Sequence, residues 1–218
     1  MNKTPEVCQY ISDQFFDVLR GLKTLELGPM DGHFTDKILE KTSEVVCVES
    51  AQSYCEQLER YLPKKQIVCG DFTEYLRTKN HFGAVVAFGV TYHLVDPIGF
   101  FENIVNNINP EYILVDTVPL YPKHQQAEAL WPHSQDELLI EDEIANNSGM
   151  RQVKKEWKSC NLVSVPTMPV VDRILTNLNY RKIKEKRMIK EEWHGWQPGI
   201  FKDGFEIAVF KKEVDETI

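Results

Sequence analysis

Short apolar segments that alternate with amphipathic segments constrain the fold of this chain more than any other feature. The apolar segments are residues 23–27, 44–48, 66–69, 83–88 and 112–116. Each is short and rich in β-branched residues, as is typical of strands that are buried on both faces of a parallel sheet. The alternation therefore predicts right-handed β-α-β units, with helices on both faces of a mostly parallel sheet.

The segments between and around these strands carry apolar residues at helical spacing. Helices are expected over residues 33–40, 52–62, 97–108 and 170–178. An N-terminal helix within residues 1–20 should pack against the sheet through Phe15 and Phe16. Residues 180–189 and 205–212 predict two closing strands, which would complete a seven-stranded sheet.

The organisation of the chain follows from this pattern. Its 218 residues suit one domain, so we expect an N-terminal helix at residues 1–20 and a single domain over residues 21–218. After the fifth strand the pattern changes to prolines and an acidic run at residues 136–143. We expect a lid insertion there, over about residues 121–165, at the carboxyl edge of the sheet.

Composition limits the classes of partner and compartment. The formal net charge is −8, whereas a general nucleic-acid binder is usually basic because it must neutralise phosphates. No apolar run reaches the ~18 residues of a membrane span, and the N-terminal segment lacks the apolar core of a signal peptide. We therefore expect a cytoplasmic protein with no membrane partner. Five scattered cysteines predict reduced thiols, and no residues have the spacing of metal ligands.

Polar residues and glycines follow the predicted strands at the edge where open parallel sheets bind ligands. Glu26 is followed by two glycines, Gly28 and Gly32, which allow a tight turn and a close approach to a ligand. Glu49 could accept hydrogen bonds from two ribose hydroxyls. Asp71 and Phe72 suit the amine and the ring of an adenine. Together these residues predict an adenosine pocket.

Each feature also has a structural alternative. The glycines could form an ordinary turn from strand to helix, and Glu49 could be a solvated strand end. Asp71 could cap a helix that begins at Phe72. Three strand ends with matching chemistry favour the ligand pocket.

Residues 24–35, TLELGPMDGHFT, resemble the first motif of the class I S-adenosylmethionine-dependent methyltransferases, with Met30 at its middle glycine. The resemblance implies a Rossmann-like fold, S-adenosylmethionine as cofactor and S-adenosylhomocysteine as product. A nicotinamide dinucleotide is disfavoured because a third glycine is missing and Asp31 would repel a diphosphate. The implied cofactor-binding residues are Glu26, Gly28, Pro29, Met30, Gly32, Glu49, Ser50, Asp71, Phe72, Phe88 and Gly89.

Residues 89–97, GVTYHLVDP, are similar to the fourth motif of a subgroup that includes tRNA wobble-uridine carboxymethyltransferases and many small methyltransferases. His93 and Tyr92 are the candidate catalytic residues beside the transferred methyl group. His93 could act as a base or contact the acceptor, because an imidazole pKa near ~6.5 suits proton transfer at neutral pH. It could instead support the loop, and Tyr92 could pack against the methionine end of the cofactor or simply in the core.

The acceptor pocket is expected to form from the predicted lid and from the loop of residues 191–203. These segments carry Trp131, Trp193 and Trp196. We expect methyl transfer to a small-molecule acceptor. The alternatives are transfer of a methyl or carboxymethyl group to a tRNA base and a non-catalytic module that binds S-adenosylmethionine.

Overall fold

The computed structural model describes residues 5–94, 96–117, 166–188 and 205–214, which build a seven-stranded sheet covered by helices. The strands are β1 (Lys23–Leu27), β2 (Glu44–Glu49), β3 (Ile67–Cys69), β4 (Ala84–Ala87), β5 (Tyr112–Thr117), β6 (Tyr180–Met188) and β7 (Phe205–Lys212). The helices are α1 (Pro5–Phe15), α2 (His33–Leu39), α3 (Gln52–Leu58), α4 (Phe72–Tyr75), α5 (Pro97–Asn103) and α6 (Met168–Asn177). Shorter helical turns cover Phe16–Leu19, Lys64–Gln66, Thr91–His93 and Ile104–Ile108.

The strand order is β3-β2-β1-β4-β5-β7-β6. Strands β1 to β5 pair in parallel, whereas β7 lies antiparallel between β5 and β6. The prediction of a mostly parallel, seven-stranded sheet with two closing strands is confirmed. The direction in which strands are added reverses between β1 and β4, and a crevice at such a point is where open α/β sheets bind ligands.

Alternating strand residues supply two hydrophobic cores, one on each face of the sheet. Leu25 and Leu27 belong to the core that α4, α5 and α6 cover. Val45 and Cys47 of the neighbouring strand belong to the core that α1, α2 and α3 cover. Phe15 and Phe16 are buried in this second core, as predicted for the N-terminal helix. Burial on both faces explains why the central strands read as continuous apolar runs.

Several helix ends differ from the predictions. The α3 helix ends at Leu58, four residues before the predicted end at Leu62. The residues after Leu58 form turns instead, in which the N–H groups of Tyr61 and Leu62 both donate to the Leu58 carbonyl. Pro63 disfavours helical backbone at Leu62, directly before it. The α-helical part of the predicted helix over residues 97–108 ends at Asn103 and continues as a π-helical turn.

The cysteines require a correction. Reduced thiols were expected, but Cys55 of α3 and Cys69 of β3 form a disulfide. Their separation of 14 residues gave no signal, because the two positions meet only when α3 packs beside β3. Cys8 and Cys47 are buried and do not belong to this disulfide.

The predicted lid at residues 121–165 lies outside the described residues, and so does the loop of residues 191–203 with its tryptophans. Among the helices that the structure describes, none has the length and apolar character needed to cross a membrane.

Candidate active site

A cleft opens at the carboxyl edge of the sheet, at the reversal point between β1 and β4. It encloses about 430 Å³, including space that is open to solvent. Its lining residues are Cys8, Glu26, Gly28, Pro29, Met30, Asp31, His33, Phe34, Phe88 and Gly89. The cleft therefore brings together the turn after β1, the segment after β4 and one residue of α1.

The turn from β1 to α2 approaches the segment after β4 closely. A Cβ atom on Gly28 would lie 3.0 Å from Cγ2 of Val90, and its φ of +62° also favours glycine. Gly32, the N-cap of α2, has a φ of +85°. Met30 between them has a φ of 53°, so it adopts a backbone conformation that glycine takes more readily. The residue at the middle position of the motif has changed, but its left-handed backbone remains.

Glu26 is a buried carboxylate in the wall of the cleft. The Thr35 hydroxyl donates to its Oε2 at 2.6 Å, and the Cys47 thiol donates to the same oxygen at 3.4 Å. Burial raises the pKa of Glu26 to about 7, and the two hydrogen bonds oppose that rise. A cationic group in the cleft would therefore stabilise the ionised form.

Glu49 ends β2 beside the glycine turn, with only 5% of its surface exposed. Its Oε2 accepts the backbone N–H of Met30 at 3.0 Å, and its Oε1 accepts the backbone N–H of Ala51 at 2.9 Å. The Ser50 hydroxyl adds a longer contact of 3.4 Å to Oε1. Burial raises the pKa of Glu49, although the backbone N–H groups lower it. These bonds fix the orientation of the carboxylate, so Glu49 is not a solvated strand end.

Asp71 is the N-cap of α4. A helix cap was the structural alternative to adenine binding in the sequence analysis. The Oδ1 atom of Asp71 accepts the backbone N–H of Thr73 at 2.6 Å and the Thr73 hydroxyl at 2.7 Å. The preceding Gly70 donates its N–H to the Glu49 carbonyl at 2.9 Å, so Asp71 follows a segment that is bonded to the end of β2. Phe72 packs edge-to-face on Phe100, with 5.9 Å between ring centroids.

The segment after β4 carries Phe88 and Gly89 into the cleft. The Phe88 ring lies 5.1 Å from that of Phe34, centroid to centroid. His93 follows on the helical turn Thr91–His93, with a half-buried side chain and with its backbone N–H donating to the Val90 carbonyl at 3.0 Å. The side chain of Tyr92 lies outside the described part of the structure.

Six of the eleven residues implied for cofactor binding line the cleft directly. They are Glu26, Gly28, Pro29, Met30, Phe88 and Gly89. Glu49 is connected to this group through its hydrogen bond to Met30. Ser50 directly follows Glu49 in the chain, and Gly32 lies between the lining residues Asp31 and His33. Asp71, Phe72 and His93 are not among the residues that line this cleft.

Four lining residues had not been predicted: Cys8, Asp31, His33 and Phe34. The last three lie within the glycine motif, so the motif itself gave a signal for them. Cys8 gave none, because its place in the wall depends on how α1 packs against α2.

Comparison with known proteins identifies the fold. Residues 25–115 match a family model described as a methyltransferase domain. An S-adenosylmethionine-dependent methyltransferase from Archaeoglobus fulgidus has a similar structure, with a TM-score of 0.62 and 14% identity, covering 96% of this chain and 95% of that one. No curated protein sequence matches this chain.

Two further solved structures resemble the chain. The N-methyltransferase NodS from Bradyrhizobium japonicum WM9, in complex with S-adenosyl-l-homocysteine, gives a TM-score of 0.60 at 14% identity and covers 98% of this chain and 90% of that one. A candidate RNA methyltransferase from Pyrococcus horikoshii gives a TM-score of 0.59 at 10% identity, covering 98% and 87%. The described residues thus have the class I, Rossmann-like methyltransferase fold, as predicted.

Proposed function

We propose that this protein is a methyltransferase that uses S-adenosylmethionine and transfers its methyl group to a small molecule. The observation that carries the proposal is the meeting of Glu26, Gly28, Glu49 and Gly89 at the reversal point of a class I methyltransferase sheet. Fold by itself does not determine function. The proposal therefore rests on the chemistry of these residues.

The charge and the aromatic lining of the cleft suit this cofactor. Glu26 and Asp31 line it, and carboxylates favour the ammonium and sulfonium of S-adenosylmethionine. Phe34 and Phe88 add aromatic faces, which also attract cations. Gly28 lets the turn after β1 pack tightly against the segment after β4, because a Cβ atom there would lie 3.0 Å from Val90. The same acidic wall would repel a diphosphate.

We assign the roles of the binding residues from their positions. Glu49 would accept the ribose hydroxyls, and its bonds to Met30 and Ala51 hold it in a fixed orientation. Glu26 would face the methionine end, and the wall at Phe88 and Gly89 would pack against the adenosyl group. Asp71 is assigned to the adenine amine, in addition to its role as a helix cap.

When bound, S-adenosylmethionine supplies an electrophilic methyl group on its sulfonium. Methyl transfer then depends chiefly on the alignment of nucleophile, methyl and sulfur. We assign His93 as the base that accepts a proton from the acceptor, if the acceptor still carries one when it attacks. Tyr92 is assigned to pack the methionine end. We assign the acceptor pocket to the lid at residues 121–165 and the loop at residues 191–203. Both belong to the single domain that we propose over residues 21–218, in a cytoplasmic protein.

A tRNA base is the second candidate acceptor, and the GVTYHLVDP segment at residues 89–97 favours it. The net charge of −8 favours a small molecule instead. A non-catalytic binding module is the third candidate. Formation of S-adenosylhomocysteine in the presence of an acceptor would exclude it.

Titration calorimetry with S-adenosylmethionine and S-adenosylhomocysteine tests the cofactor assignment. Glu49→Ala should weaken binding by about 1.5–3 kcal/mol, which corresponds to roughly 10- to 150-fold, because charge-assisted hydrogen bonds to the ribose are lost. Glu44→Ala is the matched control. Glu44 begins the same strand but pairs at the surface with Lys23 at 3.4 Å, so affinity should not change.

Two results would contradict these assignments. Unchanged affinity in Glu49→Ala would remove Glu49 from the ribose site. Binding of NADH by a wild-type protein that binds neither S-adenosyl compound would overturn the proposed function.

A further inference from the structure

Asp116 is a fully buried carboxylate near the end of β5, and it contacts the segment that leaves β4. The pairing of β4 with β5 extends as far as Ala87 and Val115. Beyond that pair the chain turns into the cleft at Phe88 and Gly89. The backbone N–H of Gly89 donates to Oδ1 of Asp116 at 2.6 Å.

A second bond joins the same two segments. The Thr91 hydroxyl, which is also buried, donates to the backbone carbonyl of Asp116 at 2.5 Å. Asp116 therefore holds this segment at two points, with its side chain at Gly89 and with its main chain at Thr91. These bonds replace the strand pairing that is lost where β4 ends.

A carboxylate at this position needs a physical reason, because a buried charge is costly unless hydrogen bonds compensate for it. The two residues that precede Asp116 on the strand, Leu114 and Val115, are buried apolar residues of the core, and Thr117 after it is buried and polar. An apolar residue at position 116 would fit the sheet but would leave the Gly89 N–H without this acceptor. Leaving this partly buried N–H without its acceptor is unfavourable.

We propose that Asp116 is a positioning residue of the methyl-transfer site, which fixes the segment from Gly89 to His93 against the cleft. The inference rests on the proposed function and adds a residue that neither sequence motif contains. It acts through Gly89, which lines the cleft. Because methyl transfer depends on alignment, a small displacement of this segment has a large effect on the site.

The test compares Asp116→Ala with Asp116→Asn in the full-length protein. Asparagine keeps an acceptor oxygen for Gly89, whereas alanine removes it. NMR hydrogen exchange at the Gly89 amide reports the contact directly, and calorimetry with S-adenosylhomocysteine reports its consequence. In Asp116→Ala we expect exchange and the dissociation constant both to rise about 10-fold or more, the equivalent of one hydrogen bond to a charged group. Asp116→Asn should restore both to within about 3-fold of wild type, because its amide oxygen can accept the same N–H.

Two controls separate positioning from general destabilisation. Asp172→Ala removes another paired aspartate, whose Oδ2 lies 2.9 Å from Lys182 in the contact between α6 and β6. It should leave Gly89 exchange and ligand affinity unchanged. Thr91→Val removes the second anchor and should weaken binding several-fold. If Asp116→Ala does not fold, Thr91→Val and Asp116→Asn test the positioning role through the same two measurements.

Different results would overturn the positioning role of Asp116 and the proposed function of the protein. Wild-type exchange and affinity in Asp116→Ala would overturn the positioning role, as would an Asp116→Asn variant as impaired as Asp116→Ala. Failure of the wild-type protein to bind S-adenosylhomocysteine would instead overturn the proposed function, whatever the exchange at Gly89.

Discussion

Glu26 couples the stability of the fold to pH through a single side chain. Its pKa rises from 4.5 to about 7 in the folded protein because burial disfavours its charge. The folded state therefore binds the proton more tightly than the unfolded state. The stabilising contribution is fully present below pH 4.5 and is lost as pH rises through about 7.

The Glu26→Gln variant should remove this dependence because it is uncharged at every pH. Between about pH 5 and pH 8, we expect the stability of the wild type to fall by about 2–3 kcal/mol relative to the variant. Urea unfolding of both proteins at the two pH values measures the difference, and the other carboxylates cancel in the comparison. If the difference in unfolding free energy between the two proteins does not change with pH, Glu26 is already ionised in the folded protein.

His93 allows a prediction about catalysis that is independent of cofactor binding. If it is the base, His93→Ala should lower turnover by roughly 10²–10⁴-fold. Affinity for S-adenosylhomocysteine should stay near the wild-type value, because the ribose and the adenine are assigned to residues elsewhere. Turnover is measured as release of S-adenosylhomocysteine with an active acceptor, and the exposed His81 provides a His81→Ala control. Parallel losses of melting temperature and of cofactor affinity would indicate that His93 supports the loop instead.

Among the elements, the connection between α3 and β3 carries a covalent restraint next to Glu49. The disulfide joins Cys55 to the exposed Cys69, and Cys55 Sγ lies 3.3 Å from the Glu49 carbonyl. Closing a loop of this length stabilises a fold by about 3 kcal/mol. We expect a reductant to lower the free energy of unfolding of the wild type by an amount of that order.

The Cys69→Ser variant is the control for this restraint. It should have the lower stability from the start and should not respond to reductant. Urea unfolding with and without a phosphine reductant gives the comparison, and thiol titration of the unfolded protein counts the free cysteines. A count of five thiols in wild-type protein that was purified and unfolded without reductant would contradict the disulfide.

The strands were more predictable than the helix ends. The bounds of β1 and β7 match the predictions residue for residue. Glycines mark one end of each strand in the sequence, Gly28 after β1 and Gly204 before β7, and such a boundary is a local signal. Helix ends depend on neighbouring elements and on special residues such as Pro63. The disulfide could not be predicted, because it depends on which elements the fold brings together.

The same distinction applies to the candidate site. Gly28 and Glu26 belong to one continuous motif, and they lie together in the cleft as expected. Cys8 and Asp116 reach the site region from α1 and β5, which are distant in sequence. Residues of this second kind are identified by the folded structure, through the packing of α1 for Cys8 and the strand order for Asp116.

At the scale of the whole molecule, charge bears on the choice of acceptor. One strand carries a cluster of basic residues that could contact RNA. It is β6, at the edge of the sheet, with Arg181, Lys182, Lys184, Lys186 and Arg187. Lys182 and Arg187 of this cluster pair with acids nearby: Lys182 lies 2.9 Å from Asp172 and 2.8 Å from Glu185, and Arg187 lies 3.9 Å from Glu206. Exposed lysines along an edge strand also discourage pairing with another sheet. The cluster therefore offers little uncompensated positive charge to a phosphate backbone.

We therefore expect no measurable complex between the protein and bulk tRNA, even at low ionic strength. An enzyme that neutralises several phosphates would show a dissociation constant that rises steeply between about 50 and 200 mM salt, because bound counterions are released on association. The measurement is a fluorescence anisotropy titration of labelled tRNA at several salt concentrations, with release of S-adenosylhomocysteine followed in the same samples. Salt-sensitive binding together with turnover on tRNA would exclude the small-molecule assignment, but it would leave the cofactor site intact, because the residues assigned to that site do not include the β6 cluster.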